Sequence, residues 1–504
     1  MQSLRIKNFR SISDSGDIQI KPITIFLGKN SCGKSSFIRT FPLIKQSLEK
    51  DISEPLLWYG DYVDFGDYKN ILPFGSESDN FEMSFKINSS SSFFYYRRIR
   101  DMEVEYDVRI KFSEKNIVIF EILFFDQSIK CELEKDGRIK SIIINGCNNV
   151  IEVENYKWQK TSRELLPTIF MTKIDSSRQN YVKYYYYRFD HAGDIEQAVK
   201  LMEKYMEFST RTSSFSREEA IYGILDDLLY PQSKTMLLKN LQTQARTKAY
   251  FNSKNIEDLE FCELNNLFVS LLIREIIKNI NTSLHNEFDN TFYLKPLRAN
   301  VNRYYRIQGI NVNSVDSDGS NLPMILYNLG EEKKKFDNWC KKTFGLIFTV
   351  KEQGGHVSLM VEDSEHKSTN LADTGYGYSQ VLPILVQLWL LKSKKESDSS
   401  FKINVVIEQP ELHLHPAFQS KLMDVFVGII NEAKKNNIRI IFETHSETMI
   451  NRLGYLVSIK FIDQDKVNII LVEKKNKKSI LTQTAYNFDG SIDKWPIGFM
   501  SAED

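Results

Sequence analysis

The sequence predicts an α/β protein with a mixed or parallel central sheet, an antiparallel β-lobe and a helical insertion. Short apolar strands alternate with helices near both ends of the chain, over residues 1–50 and 370–504, as in a parallel α/β sheet. Alternating apolar and polar residues over about 80–160 are typical of antiparallel strands. Over about 190–290 apolar residues recur at helical spacing instead.

These patterns predict a chain whose two ends form one domain. Residues 1–80 and 345–504 are expected to fold together, with a β-rich lobe over 81–190 and a mainly helical insertion over 191–344. At 504 residues the chain is long enough to build more than one hydrophobic core.

Composition and charge argue against several classes of protein. The formal net charge is zero, so a DNA contact would need a local basic patch. The five cysteines are scattered without a Cys-x-x-Cys pair, which argues against a disulfide framework or zinc ribbon and favours a reducing cytoplasm. We expect no membrane partner, because no apolar run reaches the roughly 20 residues that span a bilayer. Met1–Lys7 alternates like a strand and lacks the layout of a secretory signal.

A phosphate-binding loop is the most informative motif. Residues 28–35 match G-x-x-x-x-G-K-[ST], between the predicted buried strand Ile23–Leu27 and a predicted helix. Lys34 is expected to reach the β- and γ-phosphates and Ser35 to ligate Mg²⁺. The residues expected to hold the nucleotide are Gly28, Asn30, Ser31, Cys32, Gly33, Lys34, Ser35 and Ser36. The motif therefore predicts binding of a nucleoside triphosphate with Mg²⁺.

Two later strands are expected to deliver reactive side chains to the same site. The apolar run before Glu408 is typical of a central parallel strand, so Glu408 is predicted on the Mg²⁺ side of the nucleotide. Gln409 can orient water but cannot take its proton, whereas Glu411 could supply a carboxylate. His445 ends the next buried strand, where a neutral imidazole could contact attacking water or the γ-phosphate.

A second glycine- and serine-containing segment precedes the predicted helix at 381–392. Gly375, Gly377, Ser379 and Gln380 form another anion-ready helix start, and Pro383 is expected in the first helical turn. Because the chain already has one phosphate loop, these residues are predicted to cap the γ-phosphate of a partner subunit, in a homodimer or higher homo-oligomer. The alternative is a simple glycine turn at a helix start.

Other patterns have structural explanations that are at least as good. His413 and His415 could bind a metal, but no further histidine or cysteine lies nearby in sequence. The aromatic and basic runs at 95–100 and 183–188 could stack on nucleic acid, yet surface tyrosines of a β-lobe explain the same composition. The segment 463–465 resembles a nuclease Asp-x-Asp motif but is predicted to be a surface turn.

In their order along the chain, the four nucleotide-site segments resemble those of the ABC-type P-loop ATPase head of the SMC, RecF and overcoming-lysogenisation-defect branches. They are similar above all to the bacterial AAA ATPases of phage-defence operons. The resemblance implies that Arg10 approaches the nucleotide, and that the block with Arg298, Arg303 and Tyr304 senses conformation or joins domains. Further segments that carry it are Leu4–Ser11, Val63–Tyr68, Tyr293–Ala299, Asp318–Asn321 and Phe488–Phe499.

The nearest functional parallel that the resemblance implies is the ATPase subunit of Septu defence systems, including those attached to retrons. The implied function is an ATPase whose dimer geometry regulates a separately encoded effector, an HNH-type nuclease, with a retron reverse transcriptase and its DNA as further partners. The alternatives are a RecF- or SMC-like DNA repair or chromosome-maintenance ATPase, and an ATP-binding scaffold with little turnover. ABC heads usually carry glutamate at the position of Gln409, so either Glu411 supplies the carboxylate or hydrolysis is expected to be slow. They usually carry aspartate at the position of Glu408, so the resemblance implies a metal contact that accommodates a longer side chain. It therefore implies ATP binding with Mg²⁺ more firmly than rapid hydrolysis.

Overall fold

The computed structural model describes the chain in two compact units. It leaves out residues 74–78, 96–97, 135–137, 149–152, 154–155, 160–162, 172–191, 209–213, 299–300, 310–313, 363–367, 394–401, 434–437 and 493–504. The first unit comprises residues 1–5, 47–56 and 77–285, and the second comprises residues 6–46, 57–76 and 286–504.

The elements alternate between strand-rich and helix-rich stretches. The strands are β1 Ser3–Phe9, β2 Ile12–Asp14, β3 Ile18–Gln19, β4 Ile23–Leu27, β5 Phe81–Tyr95, β6 Arg98–Phe112, β7 Ile117–Phe124, β8 Gln127–Leu133, β9 Ile139–Ile144, β10 Tyr156–Gln159, β11 Thr168–Met171, β12 Thr291–Leu294, β13 Tyr305–Arg306, β14 Ile347–Gln353, β15 His356–Glu362, β16 Ser368–Asn370, β17 Ile403–Glu408, β18 Ile438–Thr444, β19 Val467–Lys475 and β20 Lys478–Thr484. The helices are α1 Lys34–Ile38, α2 Thr40–Glu49, α3 Tyr68–Ile71, α4 Ala192–Tyr205, α5 Ser214–Leu228, α6 Lys234–Thr243, α7 Lys248–Phe251, α8 Leu259–Asp289, α9 Leu322–Asn328, α10 Glu332–Phe344, α11 Tyr376–Ser393, α12 Pro416–Glu432 and α13 Glu447–Ser458.

The second unit is built on a largely parallel sheet. Its strands β12, β17, β18, β4 and β19 lie side by side in that order, and each neighbouring pair is parallel. The antiparallel hairpin partner β20 then continues the sheet to β2. In the register of β17, β18 and β4, Glu408 lies opposite Glu443, and Glu443 lies opposite Phe26. The carboxyl ends of these three strands therefore meet at one edge of the sheet.

Helices cover both faces of this sheet because its central strands are apolar on both sides. Ile25 and Leu27 of β4 belong to one buried cluster with residues of α9 to α13. Phe26 points to the other face, where its ring lies 5.0 Å from that of Phe37 in α1. A smaller antiparallel sheet of β13, β15, β14 and β16 belongs to the same unit.

The first unit combines an antiparallel sheet with helices. The strands β5 to β9 pair in sequence order as an antiparallel meander. The helices α4 to α7 and most of α8 complete the unit. Buried amides link α8 to the sheet, because Gln127 donates to Asn265 at 2.8 Å and Asn145 donates to Asn266 at 2.7 Å.

This architecture confirms the α/β fold class, with a mixed sheet, an antiparallel β-lobe and helical segments. One difference concerns residues 286–344, which the sequence patterns group with the helical insertion but which lie in the second unit. The physical reason is the pairing of β12 with β17, which places this stretch at the edge of the parallel sheet. The run at 183–188, the segment 493–499 and the side chains of 95–100 lie outside the described residues. In the part of the chain that the structure describes, no helix is long and apolar enough to cross a membrane.

Candidate nucleotide site

The phosphate-binding loop fits closely between its neighbours, which explains its two glycines. Gly33 has a φ of +108°, and α1 begins directly after it at Lys34. A Cβ atom on Gly33 would lie 2.5 Å from the Ser479 Oγ, and one on Gly28 would lie 2.3 Å from the Val472 carbonyl oxygen. Either contact would force a shift, so only glycine fits at both positions.

The Lys34 side chain closes the loop on itself. Its Nζ donates to the carbonyl oxygens of Gly28 and Lys29, at 2.9 Å each. Lys34 is 5% exposed, so its charge is held beneath the loop rather than in solvent. A bound phosphate would exchange these carbonyl contacts for charged oxygens, which are stronger acceptors.

The carboxylate that contacts Ser35 comes from β18. The Ser35 hydroxyl lies 2.9 Å and 2.8 Å from the two carboxylate oxygens of Glu443. Glu443 is 2% exposed and is the last residue but one of the strand next to β4. Burial and, after it, the charge of the neighbouring Glu408 together raise the pKa of Glu443 to about 7.

Glu408 ends β17 one strand further from the loop and is held by other groups. Arg39 donates to its two carboxylate oxygens from Nε at 2.6 Å and from Nη2 at 2.7 Å, a bidentate ion pair. The Tyr293 hydroxyl donates to the same carboxylate at 2.6 Å. The hydrogen bond to Glu408 raises the pKa of Arg39, and burial raises that of Tyr293. Glu408 thus accepts three hydrogen bonds at 1% exposure.

Glu411 and His445 lie together beyond these strand ends. One Glu411 carboxylate oxygen accepts the His445 backbone N–H at 2.7 Å. The other oxygen is buried without a hydrogen-bond partner among the described residues. Burial raises the pKa of Glu411, whereas burial and the Lys34 charge lower that of His445. His445 is therefore neutral near pH 7. Gln409, the first residue after β17, has a φ of +44°.

Arg298 connects this region to the start of α11. Its Nη2 donates to the Glu408 carbonyl oxygen, and its backbone N–H donates to Gln380 Oε1, both at 3.3 Å. The Nε and Nη1 atoms are buried without partners in the described part of the chain. Burial lowers the pKa of Arg298 to about 10, so the guanidinium stays charged at neutral pH.

The structure corrects the prediction for residues 375–380. They are not a loop before a helix at Val381, because α11 already begins at Tyr376. Pro383 consequently lies in the helix interior rather than in its first turn. The helix can begin early because its first turn packs on the 411–415 segment, where a Cβ on Gly377 would lie 2.8 Å from the His413 carbonyl oxygen.

The residues predicted to cap the γ-phosphate therefore differ in their exposure to solvent. Ser379 is 8% exposed and donates to the Tyr376 carbonyl oxygen, and Gln380 is 4% exposed with its side chain on Arg298. Gly375 is exposed, and the Tyr376 side chain is 65% exposed. In this arrangement only the Gly375–Tyr376 end of the segment is open to a second molecule.

Arg10 lies in the tight turn between β1 and β2. It has a φ of +54°, and its guanidinium lies 5.5 Å from the centre of the Phe65 ring. Burial and the nearby charge of Arg39 lower the pKa of Arg10. The nucleotide contact that the resemblance implies for Arg10 stays a prediction.

The chemistry of the donor set suits Mg²⁺ with a nucleotide. Ser35, Glu443 and Glu408 offer oxygen atoms, the ligands that Mg²⁺ prefers, and Mg²⁺ commonly needs only one or two carboxylates besides the phosphates. A dedicated metal site is not present among the described residues, since no three His, Cys, Asp or Glu side chains converge there. His415 instead caps α12, because its Nδ1 accepts the Ala417 N–H at 3.2 Å.

Sequence reasoning missed three side chains of this cluster. Glu443 and Arg39 were assigned no function, and Tyr293 was part of a motif without a role of its own. The available signal was Glu443 itself, a charged residue directly after the apolar run at 440–442. The predicted site residues Glu408, Glu411 and His445 do lie at the edge of the sheet that carries the phosphate loop, although their roles in catalysis stay predictions.

Comparison with known proteins gives the family. The model of the AAA ATPase domain matches residues 1–450. Similar solved structures include an SmcHead bound to the C-winged helix domain of ScpA, at 12% identity over 96% of this chain and 97% of that chain with a TM-score of 0.35. The SMC head domain from Thermotoga maritima is 10% identical over 95% and 97%, with a TM-score of 0.34. The Smc head domain with a coiled coil and joint from Pyrococcus yayanosii is 10% identical over 97% of both chains, with a TM-score of 0.36. The search of curated proteins found no match. Because the family model covers most of its 504 residues, the chain belongs to the AAA ATPase domain family.

Proposed function

We propose that this AAA ATPase binds Mg-ATP at the phosphate loop and hydrolyses it in sites completed head to tail by a second copy of the chain. One observation carries the proposal. The loop with Lys34 and Ser35 shares an edge of the sheet with Glu443, Glu408 and the Glu411–His445 pair. The Gly375–Tyr376 end of α11 is exposed and so accessible to a partner.

The side chains divide into binding and water-handling groups. Lys34 and the loop amides would hold the phosphates, and bound Mg²⁺ would neutralise their charge beside Ser35. Glu411 can accept a proton from water through its unpaired buried oxygen, while the neutral His445 can orient that water. Gln409 supplies no base, which favours slow turnover.

The biological role that we infer follows from the family resemblance in the sequence. Nucleotide-dependent pairing would regulate a separately encoded effector, an HNH-type nuclease, during phage infection. We propose a retron reverse transcriptase with its DNA as a further partner of the chain. The coupling is thermodynamic, because a second protomer that contacts the γ-phosphate binds more tightly when that phosphate is present.

A complementation experiment tests the head-to-tail arrangement. Lys34→Ala removes the phosphate contact, and Tyr376→Asp places a negative charge at the exposed start of α11. Each variant alone should lose hydrolysis. An equal mixture should recover about a quarter of the wild-type phosphate release, because random pairing leaves one of two sites intact in half of the dimers. Absence of recovery in a mixture of folded, pairing variants would contradict composite sites.

Two further readouts separate the competing roles. Stimulation of hydrolysis by duplex DNA would favour a RecF- or SMC-like repair or chromosome-maintenance ATPase. Tight ATP binding without phosphate release would favour a scaffold. Loss of phage protection in a strain whose copy of this chain carries Lys34→Ala would support the defence role, and unchanged protection would contradict it.

A further inference from the structure

We propose that Arg298 is a positioning residue for ATP hydrolysis, because its buried guanidinium is joined through a buried water to the unpartnered oxygen of Glu411 and keeps that carboxylate ionised. The inference rests on the proposed function, in which Glu411 accepts a proton from water. It gives Arg298 a task in the reaction that the family resemblance does not imply. Arg298 acts through Glu411 and contacts no nucleotide in this proposal.

Strand pairing brings Arg298 to the end of β17. β12 runs parallel to β17 with Leu294 opposite Ile407, so the chain leaves β12 beside Glu408. The Arg298 Nη2 then donates to the Glu408 carbonyl oxygen, and its backbone N–H donates to Gln380 Oε1. These contacts leave Nε and Nη1 buried without a partner among the described residues. At 4% exposure the side chain therefore has two unsatisfied nitrogen atoms in the interior.

Glu411 provides the complementary acceptor. One of its oxygens accepts the His445 backbone N–H, and the other is buried without a partner in the described part of the chain. Buried polar groups in proteins are almost always paired, with ordered water where no protein group is within reach. A water that accepts from the Arg298 guanidinium and donates to Glu411 satisfies both sides. The same carboxylate oxygen keeps a second lone pair for the attacking water.

Charge favours the same pairing. A buried guanidinium is costly unless an acid compensates its charge. Burial lowers the pKa of Arg298 to about 10, and the charge of Glu411, followed by that of Glu408, acts in the opposite direction. Glu408 is already neutralised by its bidentate contact with Arg39. Glu411 is therefore the principal counter-charge that remains for Arg298.

The attraction acts on Glu411 as well. Burial raises the pKa of Glu411 and so favours the protonated form, which cannot take a proton from water. Contacts with the His445 backbone N–H and the Thr444 side chain lower that pKa, and so does the Arg298 charge. Without the guanidinium, Glu411 would keep its proton to a higher pH.

The other cations near the site have nearer acceptors. The Lys34 Nζ donates to two loop carbonyl oxygens, and its charge acts on His445. Arg39 donates to both oxygens of Glu408. The His445 imidazole is itself neutral near pH 7. Arg298 is therefore the positive charge on which ionisation of Glu411 depends.

The first test is the pH dependence of ATP hydrolysis by the full-length chain. Single-turnover phosphate release and ATP affinity are measured across the acid and neutral range for the wild type, Arg298→Gln, Arg298→Lys and Arg306→Gln. The last variant replaces an exposed arginine of β13 and is the matched control, with an expected wild-type profile.

We expect the acid limb of the rate in Arg298→Gln to move up by about one pH unit, because removal of an opposite charge raises the pKa of a carboxyl group. ATP affinity should match the wild type, because the Arg298 contacts lie outside the phosphate loop. Arg298→Lys keeps the charge and should keep the wild-type acid limb, at a lower rate because an ammonium lacks the planar fork. An unmoved acid limb in Arg298→Gln would overturn the proposal.

A double-mutant cycle decides the question if Arg298→Gln does not fold. Glu411→Gln should slow hydrolysis by about 10²–10⁴-fold, the usual contribution of a positioned base. Because Arg298 acts through Glu411, Arg298→Lys should change the rate of Glu411→Gln by less than about 2-fold. Equal slowing by Arg298→Lys in both backgrounds would indicate a merely structural role and overturn the inference, while the proposed function stands. Wild-type hydrolysis by Glu411→Gln would instead contradict the proposed role of Glu411, and this inference would fall with it.

Discussion

Two helices of the second unit begin with similar residues but present different surfaces. Gly33 precedes α1 without a side-chain cap, and the Lys34 side chain lies on the loop carbonyls. At the start of α11, the Ser379 hydroxyl and the Gln380 amide bind groups of their own chain. At the first start a lysine lies on the loop before the helix, whereas at the second only Gly375 and Tyr376 are exposed. Glycine and serine at a helix start therefore give different arrangements in the two places.

The difference arises from what lies beside each helix start. The loop before α1 lies at the carboxyl edge of a parallel sheet, where strand ends leave polar groups accessible. The first turn of α11 lies against the backbone of the 411–415 segment, and Gly377 is in close contact there because it has no Cβ. Gly377 is consequently a packing residue within α11, whereas Gly33 is needed before α1 for its φ of +108°.

Lys34→Ala should have the largest effect. We expect ATP affinity to fall by about 100-fold or more, because each charge-assisted hydrogen bond to a phosphate contributes about 1.5–3 kcal/mol. Calorimetry with ATP measures the loss. Lys69→Ala, which removes an exposed lysine of α3, should bind ATP like the wild type. Equal ATP affinity in the two variants would mean that Lys34 makes no phosphate contact. The contrast between the starts of α1 and α11 would then no longer hold.

Gly377→Ala should have an intermediate effect and sharpens the packing argument. The new Cβ would lie 2.8 Å from a backbone oxygen, so we expect about 1–3 kcal/mol of destabilisation, as for overpacking. Gly375→Ala is the matched control, because nothing lies within 4 Å of its Cβ position. Urea unfolding compares the two variants. Equal unfolding free energies would contradict the close contact at Gly377.

The Arg303–Asp373 ion pair just before α11 should have the smallest effect. The two side chains are 56% and 42% exposed, so solvent screens their attraction. A double-mutant cycle with Arg303→Ala and Asp373→Ala should give a coupling of about 0.2–1 kcal/mol in unfolding free energy. A coupling of several kcal/mol would mean that this surface pair fixes the start of α11 more firmly than its exposure suggests.

The fold was largely predictable because its signals are local. The buried segment before Gly28, the apolar run before Glu408 and the segment before His445 are each rich in apolar residues, and each forms a strand of the sheet. The start of α11 was not predictable in the same way. Its glycines suggested a loop, but tertiary packing against the 411–415 segment overrides the low helix propensity of glycine.

The arrangement of the acids could not be predicted, because it depends on strand order and register. Nothing local in the sequence states that β18 lies between β4 and β17, or that Glu443 lies opposite Glu408. The pairing of Arg39 with Glu408 joins residues 369 positions apart. Such contacts follow from the assembled sheet rather than from any motif.

Pro383 weakens α11 between its first turn and the turns that follow. Proline has no backbone N–H, so the Ser379 carbonyl loses the helical hydrogen bond that would tie the opening turn to the following one. Moving the Tyr376 end of α11 therefore breaks fewer backbone hydrogen bonds than bending an uninterrupted helix. The apolar remainder of α11 stays packed in the core. If a second copy docks there as proposed, this one turn can reorient without disturbing the sheet.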